Sequence, residues 1–371
     1  MSKITSAGIS ILILLILISG ANAIAVENIK ELDISETDLW DVVLSPDGTR
    51  FAFIAYDEKR DQQIFVMNTD GTGEKKLTDD ANKKWGLAWG INKLAYISFG
   101  KDGSEKIFVI NSDGTGNAQL IPDNTRQGNS ERYMGAWGAP SWSPDGSLLA
   151  YTSLDEKENP KIFIVNADGT NKRLVRNDSF KQWSPSFSHD GKSIVYVSFP
   201  ETKYKEELFI VDIAETERKQ LTFDEIKKNY PVWGPEGTIV FVSYETVTSS
   251  SEKLFAIERD GTNKRLFINE DLKQRYPSFS IEGKKFAFAA IDAAENVKIA
   301  VGDVTGIPAV TTTTTITTPV PTISKTTSVT PVATVQTQEE KGNSTWIIMV
   351  IAAAVMLLLV AIALKDYFKK K

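Results

Sequence analysis

Short apolar runs broken by turn-forming clusters follow one another over most of the chain, and the clearest copy lies between Pro140 and Leu174. Leu148–Ser153 and Ile162–Val165 are apolar and rich in β-branched and aromatic residues, whereas Lys172–Val175 is more polar. Ser143-Pro144-Asp145-Gly146 precedes the first run and Asp168-Gly169 follows the second. Proline presets φ at the second position of a turn, and glycine supplies the positive φ that comes after it. Asp-Gly between apolar runs is a hairpin signal. The pattern predicts four strands in one small antiparallel sheet, two of them buried and the outermost charged. Such a sheet cannot bury both of its faces alone.

The unit recurs. Aligned on the first-turn acid or its substitute, the copies fall at Asp47, Asn92, Asp145, Asp190, Glu236 and Glu282, with spacings of 45, 53, 45, 46 and 46 residues. Three positions before each stands a large apolar residue: Leu44, Trp89, Trp142, Phe187, Trp233 and Phe279. The second turn returns as Asp-Gly-Thr at Asp70, Asp113, Asp168 and Asp260, becomes Ala214-Glu215-Thr216 in the fourth copy, and has no equivalent in the sixth. A repeat of about 45 residues with four strands each is the propeller pattern. The start of the chain predicts a closed ring. Glu27–Leu32 reads as a fourth strand without the three that should precede it, and the sixth copy ends near Val304 with only three. Residues 29–34 are therefore expected on the outer edge of the sixth unit, where they pair an otherwise open edge.

Trp-Ser-Pro-Asp-Gly followed by Leu-Ala-Tyr, then Ile-Phe-Ile-Val-Asn-x-Asp-Gly, resembles the WD40-like repeat of the TolB-type six-bladed propeller, also found in propellers of tricorn and prolyl-oligopeptidase-like proteases. The resemblance covers about residues 27–304 and implies an all-β, six-bladed fold. It implies little about function, because one fold hosts many. TolB proteins also carry an N-terminal α/β domain, for which the residues before Glu27 leave no room.

The flanks read differently. Residues 1–23 have a lone charge at Lys3, an apolar stretch Ile9–Ile18 and the small-x-small site Ala21-Asn22-Ala23, a signal-peptide pattern. Residues 305–345 are rich in threonine and proline and lack any core-forming pattern, so they read as an extended, O-glycosylated stalk. Residues 346–364 are apolar and uncharged, long enough for one membrane helix. Residues 365–371 carry Lys365, Lys369, Lys370 and Lys371, which places this end in the cytoplasm. The layout predicts a single-pass protein with its propeller, residues 27–304, outside the cell, and it resembles archaeal cell-surface proteins. Asn177 and Asn343 head N-glycan acceptor patterns.

Charge and residue types then narrow the chemistry. Setting aside Lys3 and residues 365–371 leaves 37 basic and 47 acidic residues, so nucleic acid is not an expected partner. The chain has no cysteine, and its single histidine, His189, fills a turn slot held by proline in Pro46, Pro144 and Pro235. A Ser-His-Asp, Cys-His or histidine-metal site is therefore not expected. The Asp-Gly-Thr turns place several oxygens together, but hairpin chemistry accounts for them and no bidentate Glu recurs in step. No catalytic residue, metal or cofactor is assigned.

Candidate binding residues come from the links between units. The link from Leu120 to Asp145 takes 25 residues where the others take 15 or 16. Its excess, Pro122–Tyr133, contains Arg126, Arg132 and Tyr133, and insertions on repeat scaffolds favour the binding face. Aromatics recur at the ends of the links: Trp40, Trp85, Trp137, Trp183, Tyr230 and Tyr276. They are expected to form a collar around the channel mouth. The alternative is that they pack between units and meet no ligand. The sequence thus reads as a surface-anchored, non-catalytic module for an extracellular protein or polysaccharide partner. A hydrolase or lyase working through channel carboxylates is the alternative, since two carboxyl groups across a cleft suffice for glycoside hydrolysis.

Overall fold

A computed structural model describes residues 24–32, 34, 37–122, 138–200, 205–214 and 217–306. Strand β1 (Ala25–Leu32) precedes the first blade, formed by β2 (Thr37–Leu44), β3 (Arg50–Tyr56), β4 (Gln62–Asn68) and β5 (Lys75–Lys76). Blade two is β6 (Lys84–Trp89), β7 (Lys93–Phe99), β8 (Glu105–Asn111) and β9 (Ala118–Gln119). Blade three is β10 (Ser141–Trp142), β11 (Leu148–Leu154), β12 (Pro160–Asn166) and β13 (Arg173–Leu174). Blade four is β14 (Gln182–Phe187), β15 (Ser193–Ser198), β16 (Glu207–Asp212) and β17 (Arg218–Gln220). Blade five is β18 (Asn229–Trp233), β19 (Thr238–Ser243), β20 (Lys253–Glu258) and β21 (Arg265–Leu266). Blade six contributes β22 (Lys273–Phe279), β23 (Lys285–Ile291) and β24 (Val297–Thr305).

Within blades one to five the strands pair in chain order, all antiparallel. The innermost strands pack neighbour to neighbour: β2 on β6, β6 on β10, β10 on β14, β14 on β18, β18 on β22, and β22 back on β2. That closes a six-bladed ring around a central channel. Six apolar cores fill the six gaps between blades. One example joins Val195, Leu208 and Phe241 across blades four and five. Another joins Leu44, Phe53, Ala287 and Ile299 across blades six and one.

Blade six has the order β22-β23-β24-β1, so its outer strand comes from the start of the chain. Ala25 pairs with Thr305 and Leu32 with Ile299. The strand begins and ends earlier than residues 29–34 because packing, not only edge pairing, sets its register. Leu32 enters the core between blades six and one, while Ile24, Val26 and Ile29 enter the core between five and six. A bulge between Glu27 and Lys30, with Asn28 at φ 52°, takes up one residue. Opposite it, a β-carbon on Gly302 would lie 2.5 Å from Val26 Cγ1, so only glycine lets the two strands close.

The Asp-Gly-Thr turns spend their carboxylates locally. Asp70 Oδ1 accepts from the Thr72 amide at 2.9 Å and from its hydroxyl at 2.6 Å, and Asp113, Asp168 and Asp260 repeat the pattern. The threonine is thus part of the hairpin.

Candidate functional site

Near its start, where the link from the preceding blade enters, the innermost strand of five blades carries a bulge, of two residues in blade one and one residue in the other four. The register shifts between Thr37 and Asp41, Trp85 and Ala88, Trp183 and Ser186, Asn229 and Val232, and Arg275 and Ser278. Bulges re-aim side chains. Four residues in these bulges have left-handed backbone: Gly86 (φ 67°), Ser184 (53°), Tyr230 (49°) and Tyr276 (54°). Glycine takes this conformation freely, whereas a tyrosine is held in it at a cost of about 1–3 kcal/mol. Strain at two neighbouring tyrosines points to what they face.

These residues stand six positions before the first-turn acid. Around the ring that position reads Asp41, Gly86, Ala139, Ser184, Tyr230, Tyr276. One half of the ring is small. A β-carbon on Gly86 would lie 3.4 Å from Ala139 Cα, and Ser184 Oγ is buried without a hydrogen-bond partner among the described residues. The other half is large and polar. The rings of Tyr230 and Tyr276 meet edge-on at 5.2 Å, and the Asp41 charge acts on both phenols.

Asp41 is 7% exposed, and its Oδ2 accepts the Leu87 amide of the next blade at 2.8 Å. Burial pushes its carboxyl up to about 7, against backbone N–H groups of Leu87, Val42 and Gly86 that favour the ionised form. Burial also raises both phenols, with the Asp41 charge adding to the effect. Beside them Arg275 pairs with Glu252, whose Oε1 accepts from the Tyr244 hydroxyl at 3.2 Å. Burial, with the Glu252 charge behind it, pushes Tyr244 up to about 12.

The links entering this face are pinned by buried ammonium groups. Lys84 Nζ donates to the carbonyls of Gln62 at 2.9 Å, Asp80 at 3.2 Å and Asn82 at 2.8 Å, and to Asp80 Oδ1 at 3.1 Å. Lys161 Nζ reaches Asp178 O and Phe180 O, both at 2.5 Å, and Asp178 Oδ1 at 3.1 Å. Lys228 lies between Glu207 Oε2, at 2.8 Å, and Asp224. Lys253 donates to Glu270 O. The cation alternates between two positions. It stands at the start of the innermost strand of the next blade at Lys84, and just before that strand at Lys228, opposite Gln63 and Glu207. It stands on the third strand at Lys161 and Lys253, opposite Gln182 and Gln274. The opposing group completes the lock: Gln182 Nε2 donates to Asp178 Oδ1 at 3.0 Å, and Gln63 Nε2 to Asp80 O at 2.8 Å.

The expected collar divides into two sets. Tyr230 and Tyr276 are on the ring of six. Trp85 and Trp183 stand one residue earlier and turn into their own blades: Trp85 packs edge-on against Phe99 at 5.4 Å and Trp183 against Phe199 at 5.1 Å. Trp183 is 5% exposed, inside the core between blades four and five, so it is no rim residue. One step along a bulged strand changes which way a ring points, and counting back from the apolar runs does not resolve that step. Trp40 lies in β2, of whose side chain at this position nothing is described. Arg126, Arg132, Tyr133 and Trp137 lie outside the described residues, and so does Asn343. Asn177 is exposed in the link from blade three to blade four. The sequence reading missed Asp41 and Glu252, although the six-position alignment contains Asp41. Elsewhere, an open cleft of about 550 Å³ between blades four and five is lined by Arg218, Arg259 and Asp260, remote in sequence from the ring.

A family model described as the TolB beta propeller domain matches residues 136–353, more than half of the chain. The chain belongs to the TolB β-propeller family. The Tol-Pal system protein TolB of Alcanivorax borkumensis is 35% identical over 57 residues, 15% of this chain and 13% of that protein. The chain thus matches only a small part of that relative's length. A structure assigned as TolB from Agrobacterium tumefaciens superposes with a TM-score of 0.53 at 19% identity, over 64% of this chain and 85% of that one. TolB from Acinetobacter baumannii gives 0.49 at 18% identity, over 72% and 65%. At such identities the TolB likeness speaks for the fold.

Proposed function

We propose that this TolB-family propeller is a surface-anchored, non-catalytic binding module that contacts a protein or glycan through the face where the inter-blade links enter. One observation carries the reading: apart from Asp41, the acids that pin the inter-blade links on that face, Asp178, Asp224, Glu207 and Glu252, are occupied by the fold. Asp178 serves Lys161, Arg176 and Gln182, while Asp224 serves Lys228 and Lys264. Glu207 serves Lys228 and Thr222, and Glu252 serves Arg275 and Tyr244. A carboxylate fixed by several donors is poorly placed to exchange protons with a substrate. The same bonds hold the links rigid, which lowers the entropy cost of binding. The matched relative is by name part of a Tol-Pal system, which fits a contact-making role. Pull-down from native membranes with the full chain should retain a partner that Tyr276→Ala loses at unchanged melting temperature. Equal retention by the variant would contradict the reading.

One observation favours the alternative, a hydrolase or lyase. Asp41 is a buried carboxyl raised toward neutrality, as a general acid would be. Release of shortened oligosaccharides from surface polysaccharide, abolished by Asp41→Asn, would establish it.

The anchor belongs to the proposal and rests on the sequence: signal peptide 1–23, stalk 305–345, membrane helix 346–364 and cytoplasmic tail 365–371. No helix among the described residues is long and apolar enough to cross a membrane, and 346–364 lies outside them. The chain should stay with membranes through an alkaline carbonate wash. A C-terminal epitope should be cut by protease only after permeabilisation.

A further inference from the structure

We propose that the arc of Asp41, Tyr276 and Tyr230 is a seat for a primary ammonium group, and that the partner bound there is a protein presenting a lysine side chain or a free amino terminus. The inference rests on the reading that this face binds a ligand, and it names the chemistry recognised.

Asp41 is the starting point. Its carboxyl is buried and takes its hydrogen bonds from backbone N–H groups. No ion pair links it to a cation among the described residues. Among the described residues, the charged and titratable groups near it are these. Tyr276 on β22 and Tyr230 on β18, whose rings touch, both lie within reach of its charge. Arg275, also on β22, is paired with Glu252. Lys84 on β6 is held by Asp80 and three carbonyls. Among the described residues, an ionised Asp41 therefore leaves the arc with a negative charge that no side-chain cation pairs.

The fold shows what such a charge accepts. In Lys84, Lys161 and Lys228 the same chain buries an ammonium against a carboxylate and carbonyl oxygens. The arc offers the carboxylate and two phenol rings, whose faces attract a cation, but no ammonium among the described residues. Across the ring, Gly86, Ala139 and Ser184 are small, and the buried Ser184 hydroxyl lacks a partner among the described residues. The unpartnered Ser184 hydroxyl leaves an oxygen acceptor on that side. An anionic ligand such as a uronate or phosphate would be repelled by Asp41. A neutral sugar would leave its charge uncompensated. An ammonium meets both the charge and the rings.

The test is calorimetric titration of the full chain in detergent micelles. Three blocked peptides serve as probes: acetyl-Gly-Lys-Gly-amide, its Nε-acetylated form, and Gly-Gly-Gly-amide with a free amino end. The first should bind and the second should not, and the third separates an amino-terminal source from a side-chain source. Affinity for the lysine probe should rise about tenfold from pH 6 to pH 8 as Asp41 ionises while the lysine stays charged. Asp41→Asn, which keeps an acceptor for the Leu87 amide, should weaken binding at least tenfold at pH 8. Tyr276→Leu should weaken it several-fold, and the hairpin-turn variant Asp113→Asn should not. Equal binding of the acetylated probe, an unchanged affinity in Asp41→Asn, or no binding of either amine probe by the wild type would overturn the inference. A neutral oligosaccharide that binds instead, sensitive to Tyr276→Leu, would overturn the ammonium seat and leave the binding-module reading standing. Cleavage of that oligosaccharide would overturn both.

Discussion

Asp41 carries a cost that the rest of the ring must offset. Its carboxyl titrates near 3.8 in an unfolded chain and at about 7 in the folded one. The folded state holds the proton more tightly, so this group favours folding most below about pH 4. That contribution falls as pH rises between about 4 and 7, and the penalty is complete above 7. At about 1.4 kcal/mol per pH unit the penalty reaches roughly 4 kcal/mol at most. Asp41→Asn should therefore raise the unfolding free energy by about 2–4 kcal/mol at pH 8 and leave it unchanged at pH 4, as read by urea titration at the two pH values. A binding residue whose removal stabilises the protein is the usual sign of stability given up for function. The buried lysines make the opposite prediction. Lys161→Gln should cost about 3 kcal/mol, because the Asp178 carboxylate and two loop carbonyls lose their central donor. Lys161→Gln with Gln182→Lys, which moves the cation to the position it occupies at Lys84, should recover at least half of that loss in the same titration. None of these locks was legible in the sequence. Lys84 and Lys161 stand in different strands of different blades, and only the folded ring shows that they do one job.

At the scale of elements, the turns were legible and the bulges were not. Ser143-Pro144-Asp145-Gly146 acts as a turn because Asp145 Oδ1 accepts from the Ser143 hydroxyl at 2.6 Å and the Ser147 amide at 3.0 Å, bonds local in sequence. His189 is half-buried in the proline slot of such a turn, and burial holds its imidazole below its usual pKa, so it is neutral at pH 7. His189→Pro should leave the melting temperature within about 2 °C of wild type and leave partner retention intact. The bulges of the innermost strands depend on packing between blades, so the tryptophans and tyrosines near them could not be told apart by spacing alone. Trp183 went into a core, whereas Tyr230 stands on the ring at the edge of another core, although both lie at the start of an innermost strand. In the closing strand pair, Gly302→Ala should drive a methyl into Val26 and the Glu27 carbonyl and lower stability by about 2 kcal/mol. The same change at Gly103, where a β-carbon meets nothing within 4 Å, supplies the test of direction. Its positive φ of 73° should cost about 1 kcal/mol through the backbone alone.

For the whole molecule, six sheets and their closure were readable because the repeat is written in residues that make local turns and two-sided apolar strands. Each gap between blades is filled by strands of both neighbours, so no blade has a complete core without the next. Cooperativity then rests on the one joint that the chain does not cover covalently, where β1 borders β24. Six residue pairs join these strands. At roughly 1 kcal/mol per net hydrogen bond, with the burial of Leu32 and Ile24 added, the joint is worth several kcal/mol. Deleting residues 26–35 should accordingly lower the melting temperature by more than 10 °C and broaden the transition. Amide hydrogen exchange tests the closure most directly. The amides of Lys30 to Leu32 should exchange as slowly as those of Ile299 to Val301 in β24, through the same global opening. Exchange of Lys30 to Leu32 at the rate of an unstructured terminus, with β24 still protected, would show that the ring does not close on its own beginning.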